Sequence, residues 1–437
     1  MPSSSPPNAN DPTLAPLSIS TMAEALRSEL VRLTTEFVSF PTVNPPGTDL
    51  VACQKWICTQ LTNFGIPFEI IDSSTTGGDH RVIVGTIGDK GPVMYLHGHY
   101  DVVPVFNADQ FKATESDGIL SGRGTCDMKG GLIALLLAAV IHRDRGGGGQ
   151  IKLVFVPDEE TGGINGSERL EELGVIDSAP SAGAIVAEPS FPNIWYAARA
   201  AFTVEVTVRG KPAHVGLHYT GSNAFLAAHH VVNDLMLMAN DVSKHTTEFR
   251  IEPEAARQSI MLIGGTSGGG TNFNVVPDTF QFTIDRRPNP DEDYAHVKAE
   301  LLQRLDTLAK NYPLTYEILQ DVDPAHTATD STLTKTVESA ILAISGRSAP
   351  LAMCPGCLET RVYTRAGIDA VALGPGPMSV MHAPDEHVPV DNLVEACAVY
   401  ATVLQRSLPR RSKDVSHADL ESASLDLRVP KTRRCRS

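Results

Sequence analysis

The sequence predicts a layered α/β domain interrupted by a smaller α+β module. Three observations carry that expectation. Apolar runs alternate with helix-patterned stretches through the first part of the chain, the alternation changes character near Arg199, and the first pattern resumes from Ser331.

Residues 22–40 place Leu26, Leu30, Leu33 and Phe37 at helical spacing, and the run breaks at Pro41 and Pro45-Pro46. Residues 51–64 read as a second helix. Apolar or alternating runs at 82–87, 93–96, 151–157 and 182–187 read as strands, with a helix over 129–143 between two of them. Strands alternating with helices point to a largely buried sheet.

Residues 201–209 then alternate (Phe202, Val204, Val206, Val208), as a half-exposed strand does. A helix over 223–240, strands at 259–265 and 279–285 around a Gly-rich turn, a helix over 291–310 and a strand at 314–319 follow. This is the β-α-β-β-α-β, ferredoxin-like order. A helix over 331–344, a strand at 370–373 and a helix over 391–408 return to the first style. The expected division is therefore a discontinuous domain, 22–198 with 323–408, carrying the inserted module 199–322. Residues 1–21, rich in Ser, Pro and Asn, and the aperiodic tail 409–437 are expected to be disordered.

A chain of 437 residues with 42% hydrophobic and 20% charged residues has an ordinary globular composition. Its net charge of −15 argues against a nucleic-acid partner, which needs a basic surface. Seven scattered cysteines fit a reducing compartment better than a disulfide framework, and Cys354-Pro355-Gly356-Cys357 lacks a second pair to make a zinc site. The apolar run 132–141 has the length of a buried helix, not of a membrane span. No basic-then-apolar leader opens the chain, so a cytoplasmic location without a membrane partner is expected.

Chemistry gathers at the strand ends. His99-Tyr100-Asp101 follows an apolar run and joins a candidate metal ligand to a carboxylate that can orient it. Asp127 stands in the Gly-flanked turn Gly122-Arg123-Gly124-Thr125-Cys126-Asp127-Met128-Lys129-Gly130-Gly131, where capping the next helix is the plain alternative. A dinucleotide loop is rejected there, because the third glycine is misplaced and no strand leads in. Asp158-Glu159-Glu160 ends one strand with successive acids that repel one another unless a cation joins them. Glu188-Pro189 ends the next, and His382-Ala383-Pro384-Asp385-Glu386 follows a Gly-Pro turn. Imidazoles and carboxylates collected at one sheet edge suit zinc, cobalt or manganese, and a shared carboxylate could bridge two ions.

This order of motifs resembles the M20 family of metallopeptidases and amidohydrolases, especially its acetylornithine deacetylase and succinyl-diaminopimelate desuccinylase branch, over about residues 29–408. The resemblance implies two divalent ions, zinc first and cobalt or manganese as alternatives. It makes His99 and Glu188 ligands of the first ion, Asp127 the bridge, and Glu160 and His382 ligands of the second. Glu159 matches the general acid/base and Asp101 the partner that orients His99. The peptide after the bridging aspartate is often cis in the family, which raises that expectation for Asp127–Met128.

The inserted module matches the family's lid and dimerisation domain, and His214 matches the histidine that reaches a partner subunit's site. Asn274, Arg287, Gly356 and Arg361 match substrate-contacting positions. Glu359 stands where many members carry Asp.

The implied reaction is hydrolysis of the amide of a small N-acylated amino acid by a homodimer. A metallo-exopeptidase or dipeptidase is the alternative on the same site. A thiol mechanism through Cys126 beside His99 and a non-catalytic metal binder are the remaining readings.

Overall fold

The computed structural model describes residues 18–75, 77–177 and 180–408. The expected tail 409–437 and most of the N-terminal extension lie outside these residues. Helix α1 (Ile19–Ala25) begins before residue 22, because Ser18 caps it by accepting the Thr21 N–H. The single helix expected over 22–40 is two, since the chain breaks at Leu26 before α2 (Arg27–Val38). Helix α3 (Leu50–Asn63) follows.

The larger sheet has nine strands. Its path begins with β1 (Phe68–Asp72), β2 (Arg81–Ile87) and β3 (Val93–His99). After the short pair β4 (Thr114–Ser116) and β5 (Ile119–Ser121) comes α4 (Lys129–Asp144), then β6 (Gln150–Val156), β7 (Ser181–Pro189) and β8 (Ile194–Ala198). In space the order is β1-β2-β6-β3-β7, with β3 parallel to both β6 and β7. His99 closes β3 in register with Val156, the last residue of β6. The segments carrying His99, Glu159 and Glu188 therefore emerge from the carboxyl ends of three adjacent parallel strands.

Helix α4 is apolar around its whole circumference and buried, as a helix covered on all sides must be. Its start approaches the sheet closely at Gly131. A Cβ there would lie 2.7 Å from the Ala187 carbonyl oxygen of β7. Buried Lys129 donates to the carbonyls of Phe37 and Phe40, fastening the start of α4 to the end of α2.

The second, four-stranded sheet is built from β9 (Ala201–Arg209), β10 (Ile260–Gly269), β11 (Thr279–Arg287) and β12 (Leu314–Val322), with α5 (Ala224–Val242) and α6 (Tyr294–Ala309). Its order is β10-β11-β9-β12, and all neighbours are antiparallel. Phe202, Val204, Val206 and Val208 of β9 meet Val231 and Leu235 of α5 and Leu301 and Leu305 of α6 in a hydrophobic cluster of their own.

The chain returns through β13 (Ala325–His326), α7 (Thr332–Ser345), β14 (Leu351–Cys354), α8 (Thr360–Arg365), β15 (Ala370–Gly374), β16 (His387–Pro389) and α9 (Val390–Ser407). Two strands leave and re-enter the larger sheet side by side. Ala198 of β8 pairs with Ala325 of β13, and Ala201 of β9 pairs with Val322 of β12. At that junction the buried Arg199 guanidinium donates to the carbonyls of Ala256, Gln258 and Arg287. Strand β16 pairs with β5, which draws the segment after His382 against the segment before Asp127. Among the described residues no helix is long and apolar enough to cross a membrane.

Candidate metal centre

Asp127 stands between two histidines. Its Oδ1 lies 3.1 Å from His99 Nε2, and its Oδ2 lies 3.1 Å from His382 Nε2. Glu188 Oε1 is 3.6 Å from the same His99 nitrogen, and Glu160 Oε2 is 3.4 Å from the same His382 nitrogen. Two triads able to hold a metal ion, His99–Asp127–Glu188 and Asp127–Glu160–His382, thus share one carboxylate. The first is fully buried, whereas His382 is half exposed at the mouth.

Backbone groups aim several of these side chains. His99 Nδ1 faces the Asp101 backbone carbonyl at 3.0 Å and that residue's carboxylate at 3.3 Å. The Asp101 carboxylate accepts the backbone N–H groups of Glu159 and Glu160, each at 3.1 Å, and the Asn44 side-chain amide at 2.9 Å. Glu160 Oε1 accepts the Val103 N–H, which leaves Oε2 for His382. The Asp127–Met128 peptide is cis. His382 adopts φ 61, a left-handed conformation that few non-glycine residues occupy.

The electrostatics call for positive charge. Hydrogen bonds to Asp127 and Glu160 push His382 up to about 10. Burial works against charge on His99, yet Asp101, Asp127 and Glu188 together push it well above its ordinary value. Burial also opposes the Asp127 carboxylate, but hydrogen bonds from His382 and His99 outweigh it and hold its pKa down. Burial raises Glu188 to about 7, with Asp127 adding to the push. Glu159 goes well above the carboxylate range through burial, opposed by His99 and reinforced by Glu188, Glu160 and Glu359. Glu188 Oε2 is buried without a hydrogen-bond partner, a state that costs about 1–3 kcal/mol or more unless a cation meets it. The donor set fits divalent ions: imidazole and carboxylate, pre-aimed, with one oxygen of the bridge for each site.

The other residues singled out in the sequence are more scattered. His214 is exposed, and its Nδ1 accepts the Gly216 N–H. Asn274 lies beside it, its carbonyl accepting the Val215 N–H. Arg287 is held by both Asp285 oxygens through Nε, and its Nη1 donates to Cys357 Sγ at 3.0 Å. Arg361 is buried and donates to Glu168 and to the Gly162 carbonyl, so its guanidinium braces the turn after Glu160. Gly356 N–H donates to Cys354 Sγ. The thiol reading finds no support. Cys126 is buried, its Sγ faces the Pro375 and Pro377 carbonyls, and burial pushes the thiol well up.

Residues outside the strand-end motifs support the site. Asn44 holds Asp101, and Glu386 accepts from the turn that carries Asp127. Buried His97 contacts Glu359 Oε2 at 2.6 Å and the Tyr363 hydroxyl at 2.9 Å. His97 shares the face of β3 with His99, the one local signal that could have marked it.

Fold and site together fit a di-metal hydrolase. The chain belongs to peptidase family M20/M25/M40, whose model matches residues 95–406. It is 27% identical over 395 residues to the succinyl-diaminopimelate desuccinylase of Pseudoalteromonas atlantica, covering 87% of this chain and 99% of that one. It is 25% identical over 391 residues to a probable succinyl-diaminopimelate desuccinylase of Staphylococcus aureus, covering 83% of this chain and 93% of that one. The crystal structure of an M20 family metallo-carboxypeptidase from Sulfolobus solfataricus shares the fold, with a TM-score of 0.73, 19% identity and coverage of 87% and 99%.

Proposed function

We propose that the protein hydrolyses the amide of a small N-acylated amino acid, releasing a carboxylate and the free amine. The observation that carries this reading is the Asp127 carboxylate divided between two imidazole-carboxylate triads, with Glu159 beside them and in neither. His99, Asp127 and Glu188 would hold one divalent ion, and Asp127, Glu160 and His382 the other. Zinc is the first choice and cobalt or manganese the alternatives. Such ions supply an acidified water and polarise the scissile carbonyl.

Glu159 serves as proton carrier. Its carboxylate takes the proton of the attacking water and returns it to the leaving nitrogen, a role suited to an acid whose affinity for protons burial has raised. Asp101 keeps Glu159 and Glu160 in place through their backbone N–H groups. Residues 199–322 act as lid and dimerisation domain. His214 of a second copy approaches the carbonyl oxygen, a reading supported by its exposure in its own subunit. Exposed Ile260 and Leu262 on the edge strand β10, with Phe225, Leu226 and Leu237 on α5, support that face as the homodimer contact. Arg287 grips the substrate carboxylate after exchanging its Asp285 partner, with Asn274 and Gly356 lining the approach. Arg361 contributes by bracing the Glu160 turn. The protein works in the cytoplasm, in keeping with its free cysteines.

The relatives' desuccinylase names favour an acyl-amino-acid substrate over a peptide. The test is a screen of metal-loaded protein against N-acetyl, N-succinyl and N-carbamoyl amino acids and dipeptides, with metal content measured on the same sample. Turnover of dipeptides alone would favour an exopeptidase. No turnover with two ions bound would overturn the hydrolase reading.

A further inference from the structure

We infer that Glu386 is a positioning residue that sets the Asp127 turn and the His382 loop against each other, an inference that rests on the two-ion reading above. Its side chain is almost wholly buried. Oε1 accepts three backbone N–H groups from one turn: Gly124 at 2.8 Å, Cys126 at 3.1 Å and Asp127 at 3.0 Å. Oε2 is paired with Arg123 Nη1. One carboxylate therefore organises the peptide that presents the bridging aspartate.

Arg123 extends the arrangement to the other loop. Its Nη2 donates to the carbonyls of His382 at 3.2 Å and Ala383 at 3.3 Å. His382 is the residue held at φ 61, and a guanidinium on its carbonyl resists relaxation of that conformation. The Gly122 N–H donates to the Glu386 carbonyl at 2.9 Å, and β16 pairs with β5 directly beyond. Segments separated by 259 residues in sequence thus meet through Arg123 and Glu386 a few ångströms from the Asp127–His382 pair. Neither Arg123 nor Glu386 belongs to a ligand triad. Their effect on the ions runs through the placement of ligand atoms, for which a tolerance of about 0.5 Å is typical.

Three substitutions separate this role from a plain fold-holding one. Glu386→Asp keeps the charge but is one methylene too short to reach both the N–H groups and Arg123. Glu386→Gln keeps the length and an oxygen for the three N–H groups but turns an NH2 towards the Arg123 guanidinium, so it breaks only the link to Arg123. Arg123→Lys leaves the Asp127 turn its acceptor but loses the fork that reaches the His382 carbonyl. Zn2+ affinity at both sites is measured by competition with a chromophoric chelator, and the melting temperature is measured on the metal-free proteins.

Glu386→Asp is expected to weaken both ions by about 10–100-fold, because both use Asp127. Arg123→Lys weakens only the more exposed ion by a similar factor, and Glu386→Gln does likewise, because the buried ion keeps its Asp127 turn. Wild-type affinity at both sites in Glu386→Asp and Arg123→Lys would overturn the inference. So would a Gln variant that weakens the buried ion as much as Asp does, or metal losses that simply track the metal-free melting temperatures. If Glu386→Asp does not fold, Arg123→Lys decides alone. A wild-type chain that binds fewer than two ions would instead remove the two-ion reading itself.

Discussion

The Asp101 carboxylate spends its two oxygens on the backbone N–H groups that open the Glu159 turn, while His99 takes the Asp101 backbone carbonyl as its nearer acceptor. The residue expected to orient a histidine therefore orients two acids as well. Asp101→Asn keeps the carbonyl for His99 but turns an amide towards a backbone N–H. Turnover should fall about 10–100-fold, with first-site zinc affinity changed far less. Parallel zinc titration and steady-state kinetics check this, and equal losses in both would refute it.

Glu159 lies in neither triad yet has a strongly raised pKa. Glu159→Gln should bind two ions and lose about 10²–10⁴ in kcat. Near-wild-type turnover in a fully loaded variant would exclude the proton-carrier role.

His214 points to solvent in its own subunit. His214→Ala should lower kcat about 10²–10³-fold without changing metal content, if it stabilises charge on the carbonyl oxygen. Mixing it with an inactive Glu159→Gln protein tests action between subunits. Recovery of activity in mixed dimers is expected, and its absence with confirmed subunit exchange would place His214 elsewhere.

Gly131 leaves 2.7 Å between a would-be Cβ and the Ala187 carbonyl. Gly131→Ala should push α4 from β7 and destabilise the protein by about 1–3 kcal/mol. Urea unfolding measures it; an unchanged midpoint would mean that the helix start yields freely.

Burial lowers the pKa of His142, whose Nε2 contacts the Gly148 carbonyl at 3.0 Å. The unfolded chain then takes up a proton first as pH falls through about 6.5, its ordinary value. This contribution to stability is intact above 6.5 and is lost progressively below it. His142→Gln should flatten that part of the stability–pH profile, read from denaturation midpoints between about pH 5 and 8. Superimposable profiles would exclude His142 as a source.

Three members of the two triads were legible because strand ends announce them. His99, Glu160 and Glu188 each follow an apolar run, and those runs became adjacent parallel strands. What held them was hidden. Glu386 and Arg123 are 263 residues apart, as are no two members of a local pattern, and His97 and Glu359 are 262 apart. Short strands also escaped. Phe68–Asp72 carries two acids, and Ile194–Ala198 and Leu351–Cys354 are too brief for a period to register. Strand β10 runs to Gly269, past its expected end at 265. It does so through a register shift between Ile263 and Ser267, where pairing with β11 overrides the weak strand preference of glycine.

The paired strands that leave the larger sheet at Ala198 and return at Ala325 make the connection a double strap. A single tether would leave the smaller sheet free to twist, whereas two antiparallel strands held side by side at the crossing form one ribbon, which resists torsion about its length. The Arg199 guanidinium, seated on the carbonyls of Ala256, Gln258 and Arg287, stiffens that ribbon where it leaves the larger sheet.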